Sequence, residues 1–226
     1  MKYFAIILIT ISILSSCNEE FMNYNGANDS VFFEEERDSV TKSFVSTSED
    51  EITMDVNILL TGLTVEHDRK YNITVVADST SAVEGENGDY VLVNNDFTIS
   101  GGEISDMFNI KFFKRDYLKT ETRTLYLKIT DSNDLKAGNV NQQDLKINIT
   151  DQAVKPDSWP YSYKTYHEIK LRVFYQITGL EEFPPAEDFR RGSPNYEYLT
   201  GTVVRAMTIY FVENEFYDEY GNRITL

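Results

Sequence analysis

Residues 51–60, EITMDVNILL, alternate strictly between apolar and polar side chains, and this stretch decides the fold class. A period of two places successive side chains on opposite faces of a β-strand, so that one face is buried and the other is solvated. The stretch therefore predicts a strand that buries one face only. Its inward positions are Ile52, Met54, Val56, Ile58 and Leu60.

Strand patterns recur on both sides of this stretch, between residues 30 and 150. They are SVFFEEE (30–36), KYNITVVA (70–77), DFTIS (96–100), MFNIKFF (107–113), TLYLKIT (124–130) and DLKINIT (144–150). Turn signals such as Gly101-Gly102 separate them, and no helical pattern intervenes. About seven such strands predict an antiparallel, immunoglobulin-like β-sandwich over residues 30–152. Further inward positions are Tyr71, Ile73, Val75, Ala77, Phe108, Ile110, Phe112, Leu125, Leu127, Ile129, Leu145, Ile147 and Ile149.

The composition changes at KPDSWP, residues 155–160, where two prolines break the strand pattern. Beyond it, SYKTYHEIKLRVFYQITG (162–179) predicts a helix that Ser162 caps and Gly179 ends. Residues 196–214 also have helical spacing, with a strand from Thr202 to Phe211 as the alternative. We therefore predict a small, mainly helical region over residues 153–226. The two apolar stripes are Tyr166, Ile169, Val173, Ile177 and Leu180, and then Tyr196, Leu199, Val203, Met207 and Tyr210.

Residues 1–17, MKYFAIILITISILSSC, have the layout of a secretory signal. Lys2 precedes about a dozen apolar residues, a run too short to span a bilayer, and small residues precede Cys17. Leu-Ser-Ser-Cys also resembles a bacterial lipobox, which implies that Cys17 carries a lipid and that the preceding segment is removed. The alternative is a free cysteine in an ordinary cleaved signal.

Residues 18–29 lack apolar periodicity and predict a flexible tether. Asn18-Glu19-Glu20 resembles the signal that sends Bacteroidota lipoproteins to the outer face of the outer membrane, while a solvated acidic tether is the alternative. We therefore expect a lipid-anchored protein of the outer membrane that faces the cell exterior.

The chain is strongly acidic, with a formal net charge of −16. Removing residues 1–17 takes away Lys2 alone, which leaves 20 basic and 37 acidic residues and a net charge of −17. Nucleic acid is therefore not an expected partner, because phosphate backbones need clustered Lys and Arg.

We expect neither a cofactor nor catalytic activity. His67 and His167 are the two histidines and Cys17 is the one cysteine, so a Cys–His dyad and a His/Cys zinc site are not expected. The chain contains no Gly-x-Ser-x-Gly, Walker or dinucleotide motif. A serine triad on either histidine and a pair of catalytic carboxylates stay open as alternatives.

SAVEGENGDYVLVNNDFTISGGE, residues 81–103, resembles the Calx-beta type of sandwich, some members of which bind calcium through acidic loops. Lys114, Arg115 and Lys119 occupy the corresponding loop here. Calcium needs six to eight oxygen ligands, so these basic residues oppose a metal site. Near the proline-rich boundary, Trp159, Tyr161 and Tyr163 are candidate ligand-binding residues, because Tyr and Trp are enriched at binding hot spots. The alternative is that they pack the C-terminal region onto the sandwich.

Nearly the whole chain resembles a Bacteroidota lipoprotein family, the domain of unknown function numbered 4843. The resemblance rests on the lipobox and on SVFFEE, DRKYNITVVADSTSAVEGENGDYVL, ITD, PDSW, YSYKTY and YGNRITL. It implies an accessory to a SusC/SusD-type outer-membrane importer, with that importer and neighbouring surface lipoproteins as partners and a glycan or peptide as the nutrient. A purely structural subunit of the importer assembly is the alternative, and a glycan- or peptide-cleaving hydrolase is a more distant one.

Overall fold

The computed structural model describes residues 29–37 and 39–226. The predicted signal peptide, Cys17 and all of the predicted tether except Asp29 lie outside these residues. Within them the chain forms eleven strands and two α-helices, α1 (Glu168–Thr178) and α2 (Val204–Glu213). The strands are β1 (Ser30–Phe33), β2 (Val40–Ser43), β3 (Glu51–Thr61), β4 (Arg69–Lys70), β5 (Asn72–Val75), β6 (Tyr90–Leu92), β7 (Thr98–Ile99), β8 (Ser105–Phe113), β9 (Arg123–Thr130), β10 (Lys136–Ala137) and β11 (Asp144–Thr150).

Two sheets form the body of the protein, in the orders β10-β1-β3-β8-β6 and β2-β11-β9-β5, and β4 pairs with β7 beside them. Inward side chains of both sheets meet in one apolar cluster, as expected when each strand buries one face. Ile58 and Ile110 enter it from the five-stranded sheet, and Leu127 and Ile147 enter it from the four-stranded sheet. The mainly β sandwich followed by a small helical part is therefore confirmed.

The strand pairing is not wholly antiparallel, which corrects the prediction. β1 runs parallel to β10, and β2 runs parallel to β11. The chain leaves the five-stranded sheet after Phe33 and enters the other sheet at Val40, so strands from distant parts of the sequence become edge neighbours. β2, β4, β6 and β10 were not predicted, because two to four residues are too few to show a period of two.

The third predicted strand turns out shorter than its pattern. Tyr71 is buried as expected, but Val75 and Ala77 are exposed, so their inward assignment is wrong. β5 lies at the edge of its sheet and ends at Val75, and the chain then enters a 3₁₀ turn at Ala77. The apolar residues after the end of β5 therefore have no opposite sheet to pack against.

Helix α1 begins five residues later than predicted. His167 is its N-cap, and the His167 Nδ1 accepts a hydrogen bond from the Ile169 N–H at 3.2 Å. Ser162 instead lies in a 3₁₀ turn, Tyr161–Tyr163, so its predicted capping role is wrong. Gly179 ends the helix as predicted, with a φ of 67° that glycine adopts without strain. The buried face is also wider than the predicted stripe, since it includes Leu171, Phe174 and Tyr175, whereas Leu180 is exposed.

The second C-terminal segment is helical, and the strand alternative from Thr202 to Phe211 is wrong. A π-helical turn, Tyr198–Val203, leads directly into α2. Its wider turn sets a four-residue spacing of buried side chains, so that Phe211 rather than Tyr210 ends the stripe. The buried residues are Leu199, Val203, Met207 and Phe211.

The sandwich and the helical region meet at a 3₁₀ turn, Phe44–Ser46, directly after β2. Phe44 belongs to the sandwich core, whereas its neighbour Val45 belongs to the core of the helical region. A buried ion pair reinforces this junction, because Arg172 Nη1 of α1 lies 2.7 Å from Asp151 Oδ1 at the end of the sandwich. The predicted boundary between residues 152 and 153 stays a prediction, and the two parts share contacts across it.

Candidate functional site

The aromatic residues predicted to bind a ligand do not form one surface. Tyr163 is fully buried, and its hydroxyl donates to the Leu199 carbonyl oxygen at 3.0 Å. Trp159 is half-buried, and its ring stacks on Phe183 with the centroids 5.6 Å apart. Tyr161 is 97% exposed. The packing role that the sequence left open therefore accounts for Trp159 and Tyr163, and Tyr161 alone faces solvent.

A cavity of about 520 Å³ lies at the junction of the sandwich and the helical region. We call it the Lys114 cleft, and its polar lining includes Ser46, Thr47, Ser48, Lys114, Arg172 and Tyr175. Three parts of the chain build it: the segment after β2, the end of β8, and α1. The backbone N–H of Lys114 donates to the Asp50 carbonyl oxygen at 2.8 Å, which fixes Lys114 in place just beyond β8.

The charge balance inside the Lys114 cleft is positive although the chain as a whole is acidic. Lys114 is half-buried, and its ammonium forms no ion pair or hydrogen bond with the described residues. Arg172 is neutralised by Asp151, to which it donates through both Nη atoms. Lys114 therefore supplies a cationic donor to the cleft without a partner of its own.

A second cavity, of about 310 Å³, shares Lys114 with the cleft. Its other lining residues are Asp50, Arg115, Asp116, Lys119 and Asp151. The Asp151 side chain is fully buried, and its Oδ2 has no hydrogen-bond partner among the described residues. A buried carboxylate oxygen without a donor costs free energy, so such a group is an acceptor for a hydroxyl or a water that enters the cavity. The junction thus offers a donor at Lys114, whereas Asp151 is buried and holds Arg172 in place.

The Arg115 side chain holds the turn that contains Glu86 and Gly88. Arg115 donates from Nε to the Gly88 carbonyl oxygen at 2.7 Å and from Nη2 to the Glu86 carbonyl oxygen. Asp89 is fully buried and accepts hydrogen bonds from the Val83 N–H and the Tyr117 hydroxyl. The oxygens of this turn are therefore used by protein donors. No group of three or more His, Cys, Asp or Glu suited to a metal ion occurs within residues 29–37 and 39–226.

Calcium is expected to have almost no effect on thermal stability. The Arg115 guanidinium already binds two carbonyl oxygens of the turn, so millimolar calcium should shift the melting temperature by less than about one degree. Thermal unfolding with calcium, with magnesium and with a chelator measures this. A saturable rise of several degrees in calcium alone would contradict it, since a ligand at 100 times its dissociation constant adds about 2.7 kcal/mol.

From its place in the sequence, Lys114 is predicted only to oppose calcium binding, and no role is predicted for Arg172 or Asp151. These residues come from separate elements, and only the packing of α1 against the turn after β2 brings them together. The available signal was a run of basic residues, Lys114, Arg115 and Lys119, in a chain with a net charge of −16.

The architecture defines this protein as a two-sheet β-sandwich that carries a small helical region. The chain belongs to the DUF4843 family, a domain of unknown function, whose model matches residues 18–180. The match confirms the family resemblance predicted from the sequence, and it extends through α1. A comparison with curated proteins finds no match.

Solved structures with partial likeness come from Bacteroides ovatus. One protein, described as a "putative carbohydrate binding protein", is 15% identical over 54% of this chain and 37% of its own, with a TM-score of 0.40. A protein of unknown function is 14% identical over 53% and 43%, with a TM-score of 0.39. A GH5 xyloglucanase is 11% identical over 58% and 21%, with a TM-score of 0.30. This chain therefore spans less than half the length of each.

Proposed function

We propose that this protein is a non-catalytic, surface-exposed lipoprotein of the outer membrane, an accessory to a SusC/SusD-type nutrient importer that helps to bind or retain a glycan or peptide substrate. The observation that carries the proposal is the lipobox-like Leu-Ser-Ser-Cys that ends at Cys17, directly before the family match begins at residue 18. The resemblance of the Gly88-Asp89-Tyr90 region to Calx-beta sandwiches remains a prediction beside it.

The spacing between Cys17 and the sandwich supports a role close to the membrane. Eleven residues separate Cys17 from Asp29, and an extended chain spans at most about 3.3–3.6 Å per residue, so the tether reaches at most roughly 40 Å. A lipid on Cys17 would confine the domain to a thin layer above the bilayer. Such confinement raises its effective concentration for any importer in the same membrane, so that even a weak contact is populated.

The open cleft at Lys114 supports binding as the activity within this role. It lies on the described domain, where a nutrient at the cell surface would have access. The absence of catalysis belongs to the proposal, as does the identity of the importer.

A purely structural role is the second candidate, because the outward face of the five-stranded sheet exposes Val93 and Met107, each by about half. Apolar side chains on a sheet face suit a protein contact.

Co-purification with a SusC/SusD-like pair is the expected result of mild detergent extraction from the native organism. The protein would carry a C-terminal tag, and partners would be identified by mass spectrometry. The control is a second, unrelated surface lipoprotein with the same tag. It should not recover the SusC/SusD-like pair, whereas proteins that co-purify only because they share a membrane fragment would appear with both. Recovery of the tagged protein alone, together with its resistance to protease on whole cells, would refute both the partner and the surface location.

A further inference from the structure

We infer that the Lys114 cleft binds an acidic saccharide, with the anionic group of one sugar at the Lys114 ammonium. This inference rests on the proposed binding role and adds the class of ligand. The anionic group is a carboxylate, as in a uronic acid, or a sulfate ester, since both offer oxygen acceptors to an ammonium group.

The Lys114 ammonium carries a charge that no described residue pairs with. The charged side chains that line the cleft are Lys114 and Arg172, and both are basic. Arg172 is already bound to Asp151, while Lys114 has no partner within the described residues. Asp50, Asp116 and Asp151 line the second cavity rather than the cleft, where Lys114, Arg115 and Lys119 balance them. Acidic residues farther than about 8 Å are largely screened at physiological ionic strength. An anion is therefore the ligand group that this position favours.

One wall of the cleft is rich in hydroxyl groups. Ser46, Thr47 and Ser48 follow one another along one side, and Tyr175 contributes a phenol from α1. Burial, and then the charge of Glu182, raise the pKa of the Tyr175 hydroxyl, so it keeps its proton at neutral pH and can donate a hydrogen bond. Hydroxyl groups both donate and accept, which matches the many hydroxyls of a sugar.

The lining of the cleft favours a saccharide over a peptide. Peptides bind by pairing with an open strand edge or by placing apolar side chains in pockets. Val45 is the one large apolar residue in the lining of the cleft, and it is already buried in the core of the helical region. The cleft is also lined by a turn and a helix rather than by a strand edge.

Calorimetric titration of the purified full chain with oligogalacturonate tests the inference. Its methyl ester is a matched probe with the same sugars and no charge, and it should bind about tenfold more weakly or not at all. A sulfated galactan and its desulfated form make the second arm, which separates sulfate from carboxylate. Binding of the charged probe should weaken as salt is added. Equal affinity for a charged probe and its neutral partner, or binding of acidic peptides without any saccharide, would overturn the inference.

Three variants locate the site. Lys114→Met keeps the length of the side chain and should weaken binding of the charged probe about tenfold or more. Lys146→Met removes an exposed lysine outside the cleft and should leave the affinity unchanged. Glu182→Gln removes a carboxylate whose negative charge reaches Tyr175 and would repel an anionic ligand in the cleft. This variant should bind the charged probe more tightly, and misfolding cannot produce such a gain. Unchanged affinity in Lys114→Met would place the ligand elsewhere and overturn the assignment.

The outcomes also separate this inference from the proposed function. If the chain co-purifies with an importer but binds neither acidic saccharide, the ligand class is wrong and the accessory role stands. If oligogalacturonate binds at Lys114 but no importer is recovered, the cleft assignment stands and the accessory role is wrong.

Discussion

Replacing Arg69 with alanine is expected to lower the free energy of unfolding by about 3–5 kcal/mol, because removing one partner of a buried ion pair leaves the other charge buried without it. Arg69 Nη1 lies 2.7 Å from Asp29 Oδ2, and both side chains are less than 10% exposed. Arg69 belongs to β4, and Asp29 lies directly before β1, so the pair ties the start of the sandwich to a distant strand. Urea unfolding at neutral pH measures the effect.

Arg37→Ala is the matched control for this experiment. Arg37 also forms an ion pair, with Glu35 at 2.8 Å, but the Arg37 side chain is 63% exposed. Exposed pairs contribute roughly 0–1 kcal/mol, so this variant should unfold close to the wild-type protein. A loss below about 1 kcal/mol in Arg69→Ala as well would mean that water reaches Asp29, and the buried-pair argument would then fail.

The long strands could be predicted because each carries its own evidence. The strands β3, β8, β9 and β11 are each seven or more residues long and mostly alternate between apolar and polar side chains. Apart from Phe113 at the end of β8, their buried residues are the apolar ones on one face. The parallel pairings of β1 with β10 and of β2 with β11 could not be predicted. The partner of a short edge strand depends on how the rest of the chain folds, which the strand's own sequence does not show. A strand such as β10, with two residues, has no period to detect.

Helix α1 shows how tertiary packing overrides a local pattern. Lys170 reads as a polar, outward residue, yet it is 4% exposed, and its ammonium donates to the Thr165 carbonyl oxygen at 2.9 Å. Burial, and then the charge of Lys164, lower the pKa of Lys170. A backbone carbonyl before the helix accepts a hydrogen bond from the Lys170 ammonium, so the lysine can be buried. The buried face of α1 therefore includes a charged residue, which the spacing of apolar residues does not predict. Tyr163, predicted to meet a ligand, is buried by the same packing.

The cleft was beyond sequence analysis for a related reason. Ser46, Lys114 and Arg172 are separated by about sixty residues at each step, and no spacing rule joins them. Their chemistry is visible only after β2, β8 and α1 are in place. By contrast, the lipidation predicted at Cys17 rests on local evidence alone: an apolar run, two small residues and one cysteine.

Cys17→Ala is expected to move the protein almost completely from the membrane fraction to the soluble fraction. Each buried CH₂ of a lipid contributes about 0.8 kcal/mol, so one acyl chain binds marginally and two or more hold a protein firmly. No helix within residues 29–37 and 39–226 is long and apolar enough to cross a bilayer. Residues 18–226 have a net charge of −17, which disfavours anionic headgroups. Detergent-phase partitioning, with mass spectrometry of the N-terminal peptide, measures the loss.

Ser16→Ala is the matched control for the anchor, because alanine is another small residue before the cysteine and should preserve both the lipid and the membrane location. Persistent membrane association of unlipidated Cys17→Ala would show that the anchor argument is wrong. A salt wash then distinguishes the remaining causes. Release by salt would point to charged protein contacts, since screening weakens exposed ion pairs. Retention would point to an apolar contact, for which Val93 and Met107 on the five-stranded sheet are the exposed candidates. In either case a contact other than the lipid would hold the protein at the membrane, and mass spectrometry of the N-terminal peptide shows whether the apolar segment before residue 17 is still attached.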